Sequence, residues 1–353
     1  MTHHFEIKVP GGKLVVVDVT TDNDTITKLQ VSGDFFIDPD EAFLALGSAL
    51  EGASVKDPAA ELTRRFDAAL APFGDELEFH GFTTADIAQA VRRAVTGGTD
   101  FTDHEWEILH PGILPTPVNV ALDDLLLEQV ATGQRPPTLR FWEWDDRAIV
   151  MGSFQSYVNE IDADGVAEHE VTVVRRMSGG GAMFMEGGNC ITYSLYAPDS
   201  LVAGMSYEDS YEYLDRWVLA ALKEHGVEAW YVPINDITST GGKIGCAAQK
   251  RRAGAILHHV TMSYDIDADM MTRVLRIGKV KIADKGLRSA KKRVDPLRRQ
   301  TGAPREGIIE TMKSTFAARY GGSVVELAPE DLTAAEKLVA ERYGTKEWTH
   351  RVP

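Results

Sequence analysis

At 353 residues the chain is long enough for two domains with cores of their own. Hydrophobic residues make up 44% of it and charged residues 25%, and no run approaches the roughly 20 apolar residues that a membrane span needs. The net charge of −16 argues against a nucleic-acid binder, which carries a basic domain or stripe.

The acidity is uneven. Residues 1–110 hold 20 Asp/Glu against 8 Lys/Arg, whereas residues 273–299 hold 11 Lys/Arg and only Asp284 and Asp295. That basic stretch reads either as a solvated loop or as an anion-binding surface. Met1-Thr2-His3-His4-Phe5-Glu6 has no basic region leading into an apolar core, so no secretory signal is expected. Two cysteines, Cys190 and Cys246, supply no disulfide framework, and a cytoplasmic location is expected.

The first 110 residues read as a small α+β unit. Lys13–Val19 and Thr25–Val31 carry β-branched residues around Asp22-Asn23-Asp24, which predicts two strands and a turn. Helices are predicted over Ala42–Leu50, with Asp38 as N-cap and Pro39 at the first position, and over Ala59–Ala71. A third runs from Thr84, a cap candidate, to Val95. Gly97-Gly98-Thr99-Asp100 and the proline-rich His110–Pro117 break the pattern and place a domain boundary between about residues 97 and 117.

The second domain opens with a helix over Val118–Thr132. Strands are predicted at Thr138–Trp144, Ala148–Met151, Val171–Arg176 and Ile191–Leu195, then a long amphipathic helix over Tyr207–His225. Further strands follow at Ala229–Pro233, Ile244–Gln249 and Ala255–Tyr264. This is a sheet with helices packed on it, an α/β or α+β core.

Chemistry concentrates in Arg175-Arg176-Met177-Ser178-Gly179-Gly180-Gly181-Ala182. Three glycines let backbone N–H groups approach an anion closely, and the arginines add charge suited to phosphate or carboxylate, although glycines also serve tight turns. Neither nucleotide fingerprint fits, since no G-x-x-x-x-G-K-[ST] occurs and Ala182–Met185 reads as a strand. The cradle would therefore be strand–loop–strand. Asn235-Asp236 reads either as turn chemistry or as a site in which Asp236 binds Mg²⁺ or orients a lysine and Asn235 meets a ligand hydroxyl or phosphate. Lys243, in Gly241-Gly242-Lys243-Ile244, suits the bridging of a carboxylate and an α-phosphate. His258 and His259 are sent to opposite faces of a strand and form no zinc pair. Cys246 reads as a packed small residue or as an acyl-accepting nucleophile.

Taken together, these blocks resemble the lipoate–protein ligase A family. The matching pieces are Arg175–Ala182 with Asn189; Asn235-Asp236-Ile237; Gly242-Lys243-Ile244 through Ala248-Gln249; and His258-His259. Ala148–Gly152 with Gln155, and Lys285-Gly286 with Ser289 and Arg293-Val294, add to them, and Ser32-Gly33-Asp34-Phe35-Phe36 resembles that family's accessory domain. Five positions depart from the pattern: Met185-Glu186 stands for His-Asp, Ser153 for a frequent basic residue, Val260 for Gly and Cys246 for Gly.

The resemblance implies an α+β two-domain protein, with a small accessory domain over 1–110 ahead of a mixed-sheet catalytic domain of the biotin/lipoate ligase type over 117–353. It implies activation of lipoate or octanoate with ATP and Mg²⁺. Transfer to a lysine of a lipoyl carrier follows, such as a 2-oxoacid dehydrogenase E2 subunit or the glycine-cleavage H protein. Arg176, Gly179, Gly180, Gly181 and Ala182 would line the lipoate and phosphate pocket, with Ala248 and His259 among the binding residues. Lys243 would be catalytic, touching the acyl carboxylate and the phosphate. Asn235 and Asp236 would serve the nucleotide, Asp236 holding its metal, and Lys279–Arg293 would close over the adenylate. The alternatives are a cysteine-dependent octanoyl or lipoyl transferase and a non-catalytic binder. A monomer is expected, with neither nucleic-acid nor membrane partners.

Overall fold

The computed structural model describes residues 1–276 and 295–353. They form two compact units, one of residues 1–100 with 200–210 and one of residues 101–199 with 211–353. No helix among the described residues is long and apolar enough to cross a membrane.

In the first unit β1 (Thr2–Lys8), β2 (Leu14–Asp22) and β3 (Thr25–Gly33) form an antiparallel meander. Alternation along β2 sends Val15, Val17 and Val19 into the core. α1 (Asp40–Ser48), α2 (Ala59–Leu70) and α3 (Thr84–Thr96) add Leu46, Phe66 and Val91 to it. β4 (Phe36–Asp38) pairs with β5 (Glu78–His80). Two expected caps are corrected. Asp38 ends β4 and Pro39 is the N-cap, so no side chain caps α1. Thr83, not Thr84, caps α3 through a capping box with Asp86, while the Thr84 hydroxyl donates to Asp67 over 2.7 Å.

Residues 200–210 join this unit because buried Arg93 needs partners. Its guanidinium donates to the Leu201 carbonyl over 3.3 Å and lies 4.6 Å from the centroid of the Phe5 ring. The Thr99 N–H donates to the Ser200 carbonyl over 3.0 Å.

The second unit contains two sheets. Its strands are β6 (Glu107–Leu109), β7 (Thr138–Phe141), β8 (Arg147–Met151), β9 (Thr172–Arg175), β10 (Met183–Glu186) and β11 (Cys190–Pro198). β12 (Ala229–Val232), β13 (Asp236–Ser239), β14 (Gly242–Arg252), β15 (Ala255–Ser263) and β16 (Ser323–Val325) complete them. The large sheet runs β12-β13-β14-β15-β11-β7-β6-β16, antiparallel except at β7-β6-β16, and the small one runs β10-β8-β9. This mixed pairing gives the α+β class that the sequence implied. The helices are α4 (Thr116–Ala131), the short α5 (Tyr157–Glu160) and α6 (Ala163–Glu168), α7 (Tyr207–Glu224) and α8 (Ala268–Val274). α9 (Leu297–Thr301), α10 (Arg305–Tyr320), α11 (Pro329–Leu338) and α12 (Lys346–Thr349) follow.

Residues 101–110, expected to close the first domain, belong to the second unit because β6 is inserted between β7 and β16. Three residues are too few to show an alternating pattern. Asp236 likewise lies on a strand instead of in a turn, opposite Cys246 across β13 and β14.

His258 and His259 on β15 do face opposite sides. His259 meets Asp123 of α4, and His258 meets Asp215 of α7. Fully buried Asp215 also accepts the hydroxyls of Tyr193 and Tyr231, so one carboxylate ties α7 to β11, β12 and β15. Asp215→Ala strands these donors and is expected to cost about 3–5 kcal/mol in urea unfolding, with the slope unchanged.

Candidate functional site

The glycine loop spans 176–182 and joins β9 to β10, which flank β8 in the small sheet. Both arginines at its start turn inward. Arg176 donates through Nε to the Ser178 hydroxyl (2.9 Å), through Nη1 to the Val150 carbonyl (2.9 Å), and through Nη2 to the carbonyls of Gly179 (2.7 Å) and Gly181 (2.9 Å). Burial pulls its pKa down to about 10, which leaves it charged at neutral pH. Arg175 is fully buried and donates to the carbonyls of Gly152, Ser153, Gln155 and Thr349.

A peptide plane that points its carbonyl at Arg176 points the following N–H the other way. With the Gly179 and Gly181 carbonyls inward, the N–H groups of Gly180 and Ala182 face away from the guanidinium. Gly180 adopts φ +92°, which favours glycine, and a Cβ there would lie 2.9 Å from Arg176 Nη2. Gly152 is required for a different reason, since its Cβ would lie 2.0 Å from the Gly180 carbonyl oxygen.

Beneath the loop runs a buried polar chain. His259 Nδ1–H donates to Asp123 over 2.7 Å, which leaves Nε2 of the neutral ring to accept the Ser178 O–H, 2.6 Å away, while the Ser178 oxygen accepts from Arg176. Asp123 also accepts from Arg140 (3.0 Å), Ser194 (2.8 Å) and Tyr196 (2.6 Å). The connectivity is that of a Ser–His–Asp relay. Ser178 is fully buried, however, so the chain positions the loop and presents no nucleophile. Burial lowers the His259 pKa against the opposing pull of Asp123, and the ring is neutral at pH 7. Burial works to raise Asp123, but hydrogen bonding to His259 and the Arg140 charge outweigh it and hold the carboxyl below its ordinary value.

Lys243 is the second residue of β14 and pairs with Asp236 across the hairpin, Nζ to Oδ1 2.7 Å. Burial opposes its charge, but Cys246 and the Asp236 carboxylate hold its pKa above the ordinary lysine value. Asn235 is bound to β14, accepting from the Ala247 N–H (2.9 Å) and donating to the Ala247 carbonyl (2.6 Å). The Asp295 N–H donates to the Lys243 carbonyl over 2.8 Å, and its carboxylate, paired with Arg299, packs directly on Gly241. A Cβ on Gly241 would meet Asp295 Oδ2 at 1.5 Å.

Two cavities meet beside this hairpin. The inner one, about 40 Å³, is lined by Trp142, Arg176, Met183, Met185, Cys246, Ala248 and His259. The outer one, about 190 Å³, is lined by Ala182, Met183, Lys243, Ile266 and Met271 among others. Arg176, Ala248 and His259 thus share the inner cavity, and Lys243 and Ala182 the outer one. Asp236 joins them through Lys243, and Asn235 through β14. Gly179, Gly180 and Gly181 form the loop, with open space beside a Cβ at Gly181. Lys279–Arg293 lies outside the described residues. No group of three or more metal-ligating side chains occurs among the described residues.

Cys190 is fully buried, and burial pushes its thiol up to about 12. Cys246 instead faces the inner cavity. Asp123, Trp142, Met183 and Asp295 were not singled out from sequence. The available signal for Asp123 was an acid within the apolar helix pattern Val120–Leu126, where burial demands a partner.

Residues 115–320 match the family described as "Lipoyl protein ligase A/B catalytic domain". The octanoyltransferase LipM of Symbiobacterium thermophilum is 30% identical over 276 residues, covering 70% of this chain and 98% of its own. The bi-partite lipoate protein ligase of Thermoplasma acidophilum, solved in work that included its E2 lipoyl domain, superposes with a TM-score of 0.63. It is 24% identical and covers 70% of this chain and 97% of its own. A lipoate-protein ligase A bound with ATP gives a TM-score of 0.59 at 21% identity, covering 70% of this chain and 99% of its own.

The lowered pKa of buried His259 means that the unfolded chain binds more protons below about pH 6.5. Stability is therefore expected to be flat above that pH and to fall as pH drops below it. His259→Gln should flatten the fall in thermal melts taken from pH 8 to 5. Gly241→Ala forces Asp295 off the hairpin and should cost about 1–3 kcal/mol. The same melts should show that added Asp295→Gly recovers part of the loss.

Proposed function

The chain belongs to the lipoyl protein ligase A/B catalytic-domain family, and we propose that it is an ATP-dependent lipoate–protein ligase. The observation that carries this reading is the position of Lys243 in the larger of two adjoining cavities, on a hairpin strand that lines both. Mainly apolar side chains line the inner cavity, which suits an acyl tail once a lining side chain moves, and the larger cavity beside Lys243 offers room towards a nucleotide. A transferase needs the acyl cavity and a thiol, but no second compartment.

In the first step a carboxylate oxygen of the acid attacks the α-phosphorus of ATP, giving acyl-AMP and pyrophosphate. In the second, the amine of a carrier lysine attacks the acyl carbon, and AMP and a proton leave. Lys243 sits where it can neutralise charge on both the carboxylate and the α-phosphate as the first bond forms. The outward N–H groups of Gly180 and Ala182 suit phosphate oxygens. Asn235 and the buried polar chain through Arg176 and His259 keep β14 and the loop in place for this contact.

Asp236 is half-exposed and offers a single carboxylate. One carboxylate fits a Mg²⁺ ion held mainly by nucleotide phosphates and water. Such an ion would neutralise phosphate charge, and Asp236 in either case orients Lys243. We assign the acceptor as a lipoyl carrier domain, including E2 subunits and the H protein, and read the first unit as an accessory domain.

The second reading, a cysteine-dependent octanoyl transferase, is favoured by the likeness to LipM and by Cys246, whose thiol lines the acyl cavity near Lys243. Measuring acid-dependent pyrophosphate release from ATP separates the two. The ligase should release pyrophosphate with lipoate, lose about 10²-fold or more in rate with Lys243→Ala, and keep activity with Cys190→Ala/Cys246→Ala. Absent pyrophosphate release, with octanoyl transfer that stops in the double cysteine variant, would establish the transferase.

A further inference from the structure

We propose that Met183 is the specificity-determining residue of the acyl site, a side chain that closes the neck between the two cavities and sets the cross-section of the chain that rests there. The inference rests on the reading of the inner cavity as an acyl pocket.

The inner cavity, about 40 Å³, has room for little more than one water molecule. A medium-chain acid therefore cannot enter until a lining side chain moves. Rigid groups form much of the wall. Trp142 is held by its indole N–H to the Ser194 hydroxyl over 2.9 Å, and Arg176 and His259 are locked in the buried polar chain. The hydroxyls of Thr192 and Thr261 satisfy each other over 3.1 Å, so the deep wall asks for no polar partner from a ligand.

Met183 is different. It is the first residue of β10 and only partly buried, and with the hydrogen-bonded Thr261 it lines both the inner and the outer cavity, as the flexible member of the pair. Its sulfur lies 3.4 Å from the Cys246 thiol across the opening. Lys243, which lines the outer cavity, is three residues from Cys246 on β14. An acid with its carboxylate at Lys243 and its tail towards Trp142 must pass Met183. An unbranched thioether with three rotatable bonds can swing aside at small cost, whereas a strand-bound β-branched residue is stiff and opens the neck only by being shorter. The neck then closes around the unbranched stretch next to the carboxylate, which octanoate and lipoate share, and resists a chain branched there. Binding is also slowed, because only the fraction of molecules with Met183 displaced is competent.

The test is direct binding, independent of catalysis. Octanoic acid and 4-methyloctanoic acid are titrated by calorimetry and mixed by stopped flow with the full chain and with Met183→Ala. The wild type should bind octanoic acid and discriminate against the branched acid at least tenfold. Met183→Ala should bind octanoic acid at least tenfold faster and reduce the discrimination to within about twofold. Met183→Val, which keeps an apolar wall, should fall between in rate and guards against a loosened strand in the alanine variant. Equal rates and equal discrimination in proteins that both bind octanoic acid would overturn the role of Met183 alone. Failure of the wild type and both variants to bind octanoic acid would overturn the acyl-pocket reading and this inference with it.

Discussion

A guanidinium buried without a carboxylate beside it dictates the shape of this site. Arg176 keeps its charge in the interior, and a buried charge is tolerated only when its N–H groups are all but fully partnered. Here the partners are one hydroxyl and three backbone carbonyls, two of them from the glycine loop itself. The loop must therefore curl around the arginine, and residues with side chains would obstruct that curl at Gly180. The same curl turns alternate N–H groups outward. The positive character offered to a ligand thus comes from backbone dipoles held in place by the arginine, and less from the arginine's own charge.

The rest of the second unit braces that loop. Arg175 fastens the loop 152–155 and the carbonyl of Thr349 to the base of β9, so the neighbouring loop and the C-terminal helix move with it. Ser178, His259 and Asp123 connect it through β15 to α4, and Arg140, Ser194 and Tyr196 complete the chain on β7 and β11. The Lys243 hairpin is braced separately, its side chain by Asp236 and its backbone by Asp295. Two separately braced elements therefore adjoin, with Met183 and Cys246 among the soft groups beside them. That division of stiffness suits a pocket whose polar end must be exact in position while its apolar tail adapts.

Much of this architecture was legible in the chain itself. Clustered β-branched residues marked β2, and β11 and β15 stood out as stretches rich in apolar residues, as burial on both faces favours. The opposite orientation of His258 and His259 followed from strand geometry alone. The failures have physical causes. β6 has three residues and β13 four, too few for a pattern, and β13 carries turn-forming residues that the sheet overrode. The excursion of residues 200–210 into the first unit depends on Arg93, far away in sequence, and leaves no local mark.

Residue types and their order were enough to single out the glycine loop, the Asn235-Asp236 pair and Lys243, because close backbone approach and a lone poised cation each demand particular residues. What only the tertiary structure decided is how those residues are used. The direction in which Arg175 and Arg176 point depends on which carbonyls need donors, a property of the packed loops and not of the arginines. The partnership of Asp236 with Lys243, the burial of Asp123 under the loop, and the shared position of Met183 between two cavities all arise where separate strands meet. Such meetings have no signature along the chain, since a side chain's neighbours are set by register and packing once the sheet has closed.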